Sequence, residues 1–592
     1  MDKLVSLRNL MEEHCLDAYI IPSGDPHASE YTPDCFNARK WFSGFTGSAG
    51  LVVVMKDKAG LWTDVRYYIQ AAKELKGTNI ELFKRGQPGV PDYEKFLAEN
   101  LGENARVGFD GNTFTVDNFD KLKKALIKKS VSYSYQNDLV GKLWLDRPSV
   151  SQKEAFEHEL KFAGISATEK LENLREEMKE KEIEACLVTA LDGVAWLTNM
   201  RGYDLQNTPV VYAFALVTKE DAFVFVDPKK VKSISSKLTS QGFTLKNYED
   251  LPEFLGKLKT KNIHFNKKTT NVLLSESIPE EIIKITKEKH DIILNQKAIK
   301  SKIEIANIKN AYIKEGAVLV KMLVWLEKAL KSGQKLFEGD VTCKLKELRS
   351  EQEHYLFDSF DTISAYGSNA AIIHYNAGEK GDEIKPSGFL LVDTGGQYLD
   401  GTTDTTRTIP VGETTDEMKE YYTYVLKGLI NLTRVRFPDN TRSNALDVFA
   451  RKPLWDYYAN YGHGTGHGIG YCLGVHEGPN SISPAVNETV PKPGMLYSNE
   501  PGFYKEGEYG IRLENTIMVV ECCKNSFGSF LGFETLMLCP FDLDTIDLRD
   551  LTDMELVWLN DYHMVTYDRL SPFLNEDEKA WLKNATRRIE EV

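Results

Sequence analysis

The chain opens with a pattern that it then repeats, and this repetition limits the available folds more than any single motif does. S-L-R-N-L-M-E-E (6–13) is followed by D-A-Y-I-I (17–21), Trp41, G-F-T-G (44–47) and L-V-V-V-M-K-D-K-A-G-L-W-T-D-V-R-Y (51–67). The counterparts downstream are K-L-E-N-L-R-E-E (170–177), E-A-C-L-V (184–188), Trp196, N-M-R-G (199–202) and F-A-L-V-T-K-E-D-A-F-V-F-V-D-P-K-K (214–230). Each set reads as a helix, a short buried strand, a glycine-containing loop and then paired strands. An offset of about 165 residues is too long for a solenoid repeat, so duplication of an α/β domain is expected.

A linker is expected at D-R-P-S-V (146–150), because proline and its predecessor resist helix. A second boundary is expected near Gln296, where strand-like D-I-I-L-N (291–295) gives way to a long helical pattern. In that pattern Ile305, Ile308, Tyr312, Leu319, Met322 and Leu326 recur at helical spacing, as a core-facing stripe does. From Phe389 onward, β-branched runs with glycine turns predict antiparallel strands in an α+β unit. The expected division is 1–150, 151–296 and 297–592, two α/β domains followed by an α+β domain.

A formal charge of -14 over 592 residues leaves no basic excess with which to bind nucleic acid or an anionic membrane. No run of about 18 apolar residues occurs, and the N-terminus lacks the apolar core of a signal peptide. The eight cysteines are scattered with no C-x-x-C pair, the usage of a reducing compartment. A cytoplasmic protein is therefore expected.

The densest chemistry lies in Y-G-H-G-T-G-H-G-I-G-Y-C-L-G-V-H-E-G-P (461–479), which holds three of the eleven histidines. A G-x-G-x-x-G phosphate loop fails on spacing, because Ile469 stands where the third glycine would be. A helical His-x-x-x-His zinc pair is disfavoured by two interior glycines, each costing about 1 kcal/mol in a helix. On an extended strand His463 and His467 would face one side, and the glycines would admit another backbone or a ligand. Histidines serving only a structural purpose stay open at this point.

Four acids extend the pattern. Asp393 ends F-L-L-V-D and Asp404 follows the turn T-G-G-Q-Y-L-D-G, so a hairpin would bring their carboxylates together. Glu500 ends G-M-L-Y-S-N-E before a Pro-Gly break, and period two puts Arg512 and Glu514 of G-I-R-L-E-N-T on one face.

The ordered set Asp393, Asp404, His467, Glu500 and Glu514 resembles the dinuclear metal site of the pita-bread metallopeptidases. Within them the chain is similar to the three-domain Xaa-Pro aminopeptidases. S-G-D-P-H-A-S-E-Y (23–31), R-K-W-F-S-G-F-T-G-S-A-G (39–50), L-W-L-D-R-P (143–148), A-A-I-I-H-Y (370–375) and V-W-L-N-D-Y-H (557–563) carry the likeness over essentially the whole chain.

The resemblance implies two creatinase-N-terminal-like α/β domains before a pita-bread catalytic domain. It implies two divalent cations, manganese by family habit with cobalt or zinc as alternatives, which would offset four converging carboxylates. It further implies hydrolysis before proline in Xaa-Pro peptides by a metal-bridged hydroxide. Asp393 and Glu500 would hold one side of the pair and His467 the other, with Asp404 and Glu514 bridging and Glu500 also shuttling the proton. His476 would donate to the substrate carbonyl, His463 would line the proline subsite, His374 would contact substrate and assist proton transfer, and Tyr504 and Arg512 would stand near the outgoing peptide. A homodimer is implied as well.

Related activities share this site. A prolidase takes dipeptides only, and a methionine aminopeptidase usually lacks N-terminal domains. Creatine-cleaving and chaperone-like relatives lack the full set of acids.

Overall fold

The computed structural model describes residues 2–287 and 291–590. The extreme ends of the first and third expected domains, residues 1 and 591–592, lie outside the described residues. The chain divides into two compact units, one running to His158 with Ile165–Ile293, the other holding Glu159–Gly164 and the chain from Leu294.

The first unit contains two six-stranded sheets. One comprises β1 (Ala18–Pro22), β2 (Leu51–Met55), β3 (Ala59–Thr63), β4 (Glu81–Lys84), β5 (Arg106–Phe109) and β6 (Ser132–Ser134), in the order β4-β3-β2-β1-β5-β6. The other comprises β7 (Ala185–Val188), β8 (Ala213–Thr218), β9 (Ala222–Val226), β10 (Thr244–Lys246), β11 (Asn262–His264) and β12 (Ile283–Ile285), in the order β10-β9-β8-β7-β11-β12. The two orders are the same. The first strand of each pairs antiparallel with the second and parallel with the fifth. Both of these central strands are buried throughout, which is why they read as unbroken apolar runs rather than as alternation. Each is preceded by a capped helix: Asp2 accepts from Leu4 N at the start of α1 (Lys3–Glu13), and Ser166 from Glu169 N at the start of α2 (Ala167–Glu180).

One local expectation fails. The run D-I-I-L-N forms no strand but belongs to α3 (Ile292–Ala298), with Ile292 and Ile293 buried. A short apolar run fits a buried helical turn as well as a strand, and periodicity over five residues does not separate them.

The second unit is built behind α4 (Lys302–Lys331), opened by a capping box of Ser301 and Glu304. Its predicted stripe is real: Ile308, Tyr312, Leu319, Met322 and Leu326 are buried and pack with Leu390, Val392, Leu496 and Met518 of the strands in front, with Ile305 at the margin. Each such side chain withdrawn from water contributes about 1.5–3 kcal/mol, so the helix is a firm backing for those strands. Among the strands are β13 (Ile363–Tyr366), β14 (Phe389–Thr394) and β15 (Thr405–Pro410), which form an antiparallel sheet with β14 in the middle. β16 (Gly466–Gly468) pairs with β17 (Glu477–Ile482). β19 (Gly502–Lys505) pairs with β20 (Tyr509–Arg512). β21 (Asn515–Asn525) lies between β18 (Leu496–Asn499) and β22 (Gly528–Thr535). Helix α5 (Asp416–Arg434) packs Val425 and Leu429 in one cluster with Ile511 and Leu513 of the segment that carries Arg512 and Glu514. Among the described residues no helix is long and apolar enough to cross a membrane.

Candidate metal centre

The hairpin expected of the two aspartates forms. β14 and β15 pair with Asp393 opposite Thr406, and Asp404 stands immediately before β15. The excursion between them is tight: a Cβ on Gly395 would lie 1.9 Å from the Thr403 carbonyl oxygen. Glu514 enters from the two-residue break between β20 and β21. Thr406 Oγ1 donates to Glu514 Oε2 at 2.8 Å, and Arg512 Nε donates to Thr406 Oγ1 at 3.3 Å. One ligand atom each from Asp393, Asp404 and Glu514 lies within 4.8 Å of the others.

The histidine and the fourth acid complete the cluster. His467 Nε2 is 3.3 Å from Asp404 Oδ2 and 3.6 Å from Glu500 Oε1. The imidazole is oriented from behind, its Nδ1 2.9 Å from the Gly468 carbonyl oxygen, which leaves Nε2 facing the acids. Ser498 Oγ accepts from His467 N at 3.0 Å and donates to Glu500 Oε1 at 3.3 Å, tying the two ligands together. The glycines beside His467 are required by backbone approach. A Cβ on Gly466 would lie 2.0 Å from Ser498 O, and one on Gly468 2.2 Å from Glu477 O.

His463 does not share an extended strand with His467, because β16 begins only at Gly466. It reaches the site differently. His463 Nδ1 is 2.7 Å from Gly464 O, so Nδ1 donates and Nε2 accepts from Tyr504 OH at 2.8 Å; Tyr504 OH in turn accepts from Arg512 Nη1 at 3.0 Å. Arg512 Nη2 donates to Asp393 Oδ2 at 2.6 Å, closing a chain from His463 to the acids. The His476 ring stands perpendicular to the His467 ring, centroids 4.2 Å apart. His374 lies on the turn after the short helical segment Gly367–Ala371 that follows β13, where a charge on it would disfavour protonation of His463. All ten predicted site residues thus belong to one neighbourhood.

Its electrostatics call for cations. Burial pushes the Asp393 carboxyl up against the pull of Arg512, and Glu500 up to about 7, with His467 opposing and Asp404 reinforcing. Glu514 is driven well above the carboxylate range by burial and then by Asp404. Burial and the Arg512 charge hold His463 down at about 3, a neutral ring, in keeping with its accepting Nε2. Asp393 Oδ1 and Glu514 Oε1 are buried with no hydrogen-bond donor. Orphaned carboxylate oxygens among four acids and one imidazole are a donor set suited to two hard or borderline divalent cations.

Sequence reasoning passed over the supports. Arg407, fully buried, donates through Nη1 to the carbonyl of Glu514 and through Nη2 to Asn515 Oδ1 at 2.9 Å and Cys539 O at 2.8 Å, pinning the break that delivers Glu514. Tyr312 OH and Thr516 Oγ1 are 2.6 Å apart, and Thr516 donates to Asp404 O at 3.3 Å, linking the helix α4 to a ligand. Nothing in the run T-T-D-T-T-R-T or around Tyr312 marks these side chains as supports in the sequence.

Comparison with known proteins gives a consistent family. Residues 306–521 match the model of metallopeptidase family M24 and 529–589 that of the C-terminal region of peptidase M24; 3–138 and 146–304 each match a creatinase/prolidase N-terminal domain. "Probable Xaa-Pro aminopeptidase P" of Laccaria bicolor is 40% identical over 98% of this chain and 92% of its own. "Aminopeptidase P2" of Arabidopsis thaliana is 38% identical over 99% of this chain and 88% of its own. The crystal structure of an X-prolyl aminopeptidase from Caenorhabditis elegans, described as a cytosolic enzyme with a di-nuclear active site, superposes with a TM-score of 0.94 at 34% identity, covering 99% of both chains. A Xaa-Pro dipeptidase from Bacillus anthracis superposes with a TM-score of 0.51 at 25% identity, covering 64% of this chain and 99% of its own.

Proposed function

The chain belongs to the Xaa-Pro aminopeptidases of metallopeptidase family M24, and we propose that Asp393, Asp404, His467, Glu500 and Glu514 are the ligands of its two divalent cations. It is a metal-dependent aminopeptidase that removes the residue preceding proline from the N-terminus of peptides. The observation that carries this is the convergence of the five side chains at the ends of separate strands, in a chain similar over its full length to aminopeptidases P.

The side chains divide by position. Glu500 Oε1 lies beside His467 Nε2, so these two would hold one cation, Asp393, paired with Arg512, would hold the other, and Asp404 and Glu514 would be shared between them. This redraws the division in which Glu500 joined Asp393. When bound, the two cations supply Lewis acidity and lower the pKa of water to about 7. Manganese is the proposed pair, from the oxygen-rich donor set.

Glu500 is the proposed proton shuttle. It is the partly exposed acid of the cluster, its side chain 19% accessible, and Ser498 holds it in place. His476, whose ring stands against that of His467, is the proposed donor to the carbonyl of the scissile bond. Proline offers no N–H and a fixed φ, so a pocket that recognises it works through shape rather than through a backbone donor. Neutral His463, backed by Tyr504 and Arg512, is the proposed wall of that pocket, and His374 is proposed to contact the substrate.

The division into 1–150, 151–296 and 297–592 is retained as the proposed domain organisation, supported by the two sheets of identical order. A cytoplasmic homodimer is proposed on the strength of the family likeness.

The deciding assay follows release of the first residue from a Xaa-Pro-Xaa tripeptide and a Xaa-Pro dipeptide, after chelation and with Mn²⁺ restored. Metal-dependent release from the tripeptide but not the dipeptide is expected. Release from the dipeptide alone makes the protein a prolidase, and no release from either with metal bound leaves a non-catalytic module.

A further inference from the structure

Glu338, the first residue of α6 (Glu338–Ser350), is fully buried and lies outside the set of proposed ligands. Four donors converge on its carboxylate. Oε1 accepts from Tyr366 N at 2.6 Å and Asn369 Nδ2 at 3.0 Å; Oε2 accepts from Tyr375 OH at 2.8 Å and Asp382 N at 2.8 Å. All four belong to one segment, 366–382, and that segment carries His374. Its far end is clasped by the start of the same helix, where Glu338 N donates to Asp382 O at 3.1 Å and Gly339 N to Lys380 O at 2.9 Å. Gly381 has a positive φ of 67°, and a Cβ there would lie 2.3 Å from Glu338 Oε2, so the loop is shaped around this carboxylate.

The loop is held from its other face as well. A Cβ on Gly510 would lie 1.9 Å from Ala370 O, so the backbone before His374 rests on β20, the strand that ends in Arg512. Between these two holds the segment has little freedom. A carboxylate can satisfy all four donors because both its oxygens only accept.

We propose that Glu338 is a positioning residue for hydrolysis: it acts through His374 by tethering both arms of the loop that presents this histidine to the substrate. The inference rests on the reading of His374 as a substrate-facing residue, and the test separates the two. In Glu338→Gln the amide nitrogen faces two donors whichever way it turns, so one pair of bonds is lost while the volume is kept.

With a Xaa-Pro-Xaa tripeptide, kcat, KM and bound manganese are measured for Glu338→Gln, His374→Ala and the double variant. Glu338→Gln is expected to keep its metal and to lose about 10- to 100-fold in kcat, the effect of a displaced active-site group. The double variant is expected to be no worse than His374→Ala, since one group is disturbed in both. Losses that multiply, or loss of metal from Glu338→Gln, overturn the proposal in favour of a general structural role. Wild-type kcat in Glu338→Gln beside an impaired His374→Ala overturns it alone; wild-type turnover in His374→Ala overturns the reading of His374 and the proposal with it. If Glu338→Gln does not fold, Tyr375→Phe removes one tether without a buried mismatch. It is expected to give a smaller loss that His374→Ala again absorbs, and multiplication of the two losses is again the contrary result.

Discussion

Arg512 Nη2 lies 2.6 Å from Asp393 Oδ2, both residues are buried, and the arginine's charge opposes the effect of burial on this acid. Its guanidinium offsets part of the charge that four carboxylates concentrate in a dry site. Arg512→Ala leaves Asp393 buried without its partner, a loss on the order of 3–5 kcal/mol when one member of such a pair is removed. The chelated variant is expected to melt well below chelated wild type. Added Mn²⁺ is expected to recover more of the difference in the variant, because the cations take over part of the missing positive charge. Equal melting temperatures of the two chelated proteins would show that the pair contributes nothing.

The acids also set a pH dependence in the metal-free protein. Glu500 titrates at about 7 when folded, against 4.5 as an ordinary glutamate, so over that window the folded chain retains a proton that the unfolded chain has released. Raising pH from about 4.5 to about 7 therefore withdraws stability through this group. Buried His27, His463 and His563, lowered to about 4, 3 and 3, act in the opposite direction, each favouring the fold as pH rises towards 6.5. The expected signature is thus a difference: the stability of chelated Glu500→Gln relative to chelated wild type increases between pH 5 and pH 7.5. Urea unfolding at the two pH values measures it, and a difference independent of pH would place the glutamate in an ordinary environment.

The acids of the proposed centre stood out in the sequence at strand ends beside glycine turns, but it was the resemblance to the pita-bread metallopeptidases, not the pattern alone, that joined them into one set. The duplication was legible from the pattern itself, since Ala18–Pro22 and Ala185–Val188 occupy corresponding places in sheets of one order. What escaped were side chains whose role exists only through partners remote in sequence. Arg407 acts on the Glu514 carbonyl 107 positions away, and Glu338 on a loop that begins 28 positions later. Neither carries a local signature. The mistaken strand at 291–295 failed for the opposite reason, since its apolar pattern was too short to tell one buried element from another.

Tyr504 joins two functional side chains through one oxygen, donating to His463 Nε2 and accepting from Arg512 Nη1. Burial, opposed by the Arg512 charge, pushes its hydroxyl up to about 12, so it stays protonated and able to donate at neutral pH. Tyr504→Phe strips both neighbours of a partner at about 1–3 kcal/mol for each buried group left unsatisfied. The expected result is full metal occupancy with a raised KM for Xaa-Pro-Xaa peptides and a smaller change in kcat, since the proposed wall of the proline pocket is loosened while the proposed ligands stay. Steady-state kinetics alongside metal analysis decides this, and loss of metal would mean that the bond supports Asp393 through Arg512 instead.

Gly466 shows how closely the proposed histidine ligand depends on its neighbours having no side chain. Its Cα faces Ser498 O so nearly that a methyl group would stand 2.0 Å from that oxygen, and Ser498 is the residue that bonds both His467 N and Glu500 Oε1. The clash is with the backbone of β18, the end strand of its sheet, where no side-chain rotation relieves it, so β16 and β18 must move apart. Overpacking of this kind typically costs about 1–3 kcal/mol, and here the displacement falls on two ligands of the proposed centre at once. Gly466→Ala is therefore expected to lose metal affinity and turnover beyond what its drop in melting temperature alone accounts for. Gly507→Ala is the matched control: it strains a positive φ of 78°, but its Cβ meets nothing within 4 Å. Calorimetry, metal titration and tripeptide hydrolysis on both variants separate the effects, and equal losses in the two would show that the approach of Ser498 has no particular hold on the proposed centre.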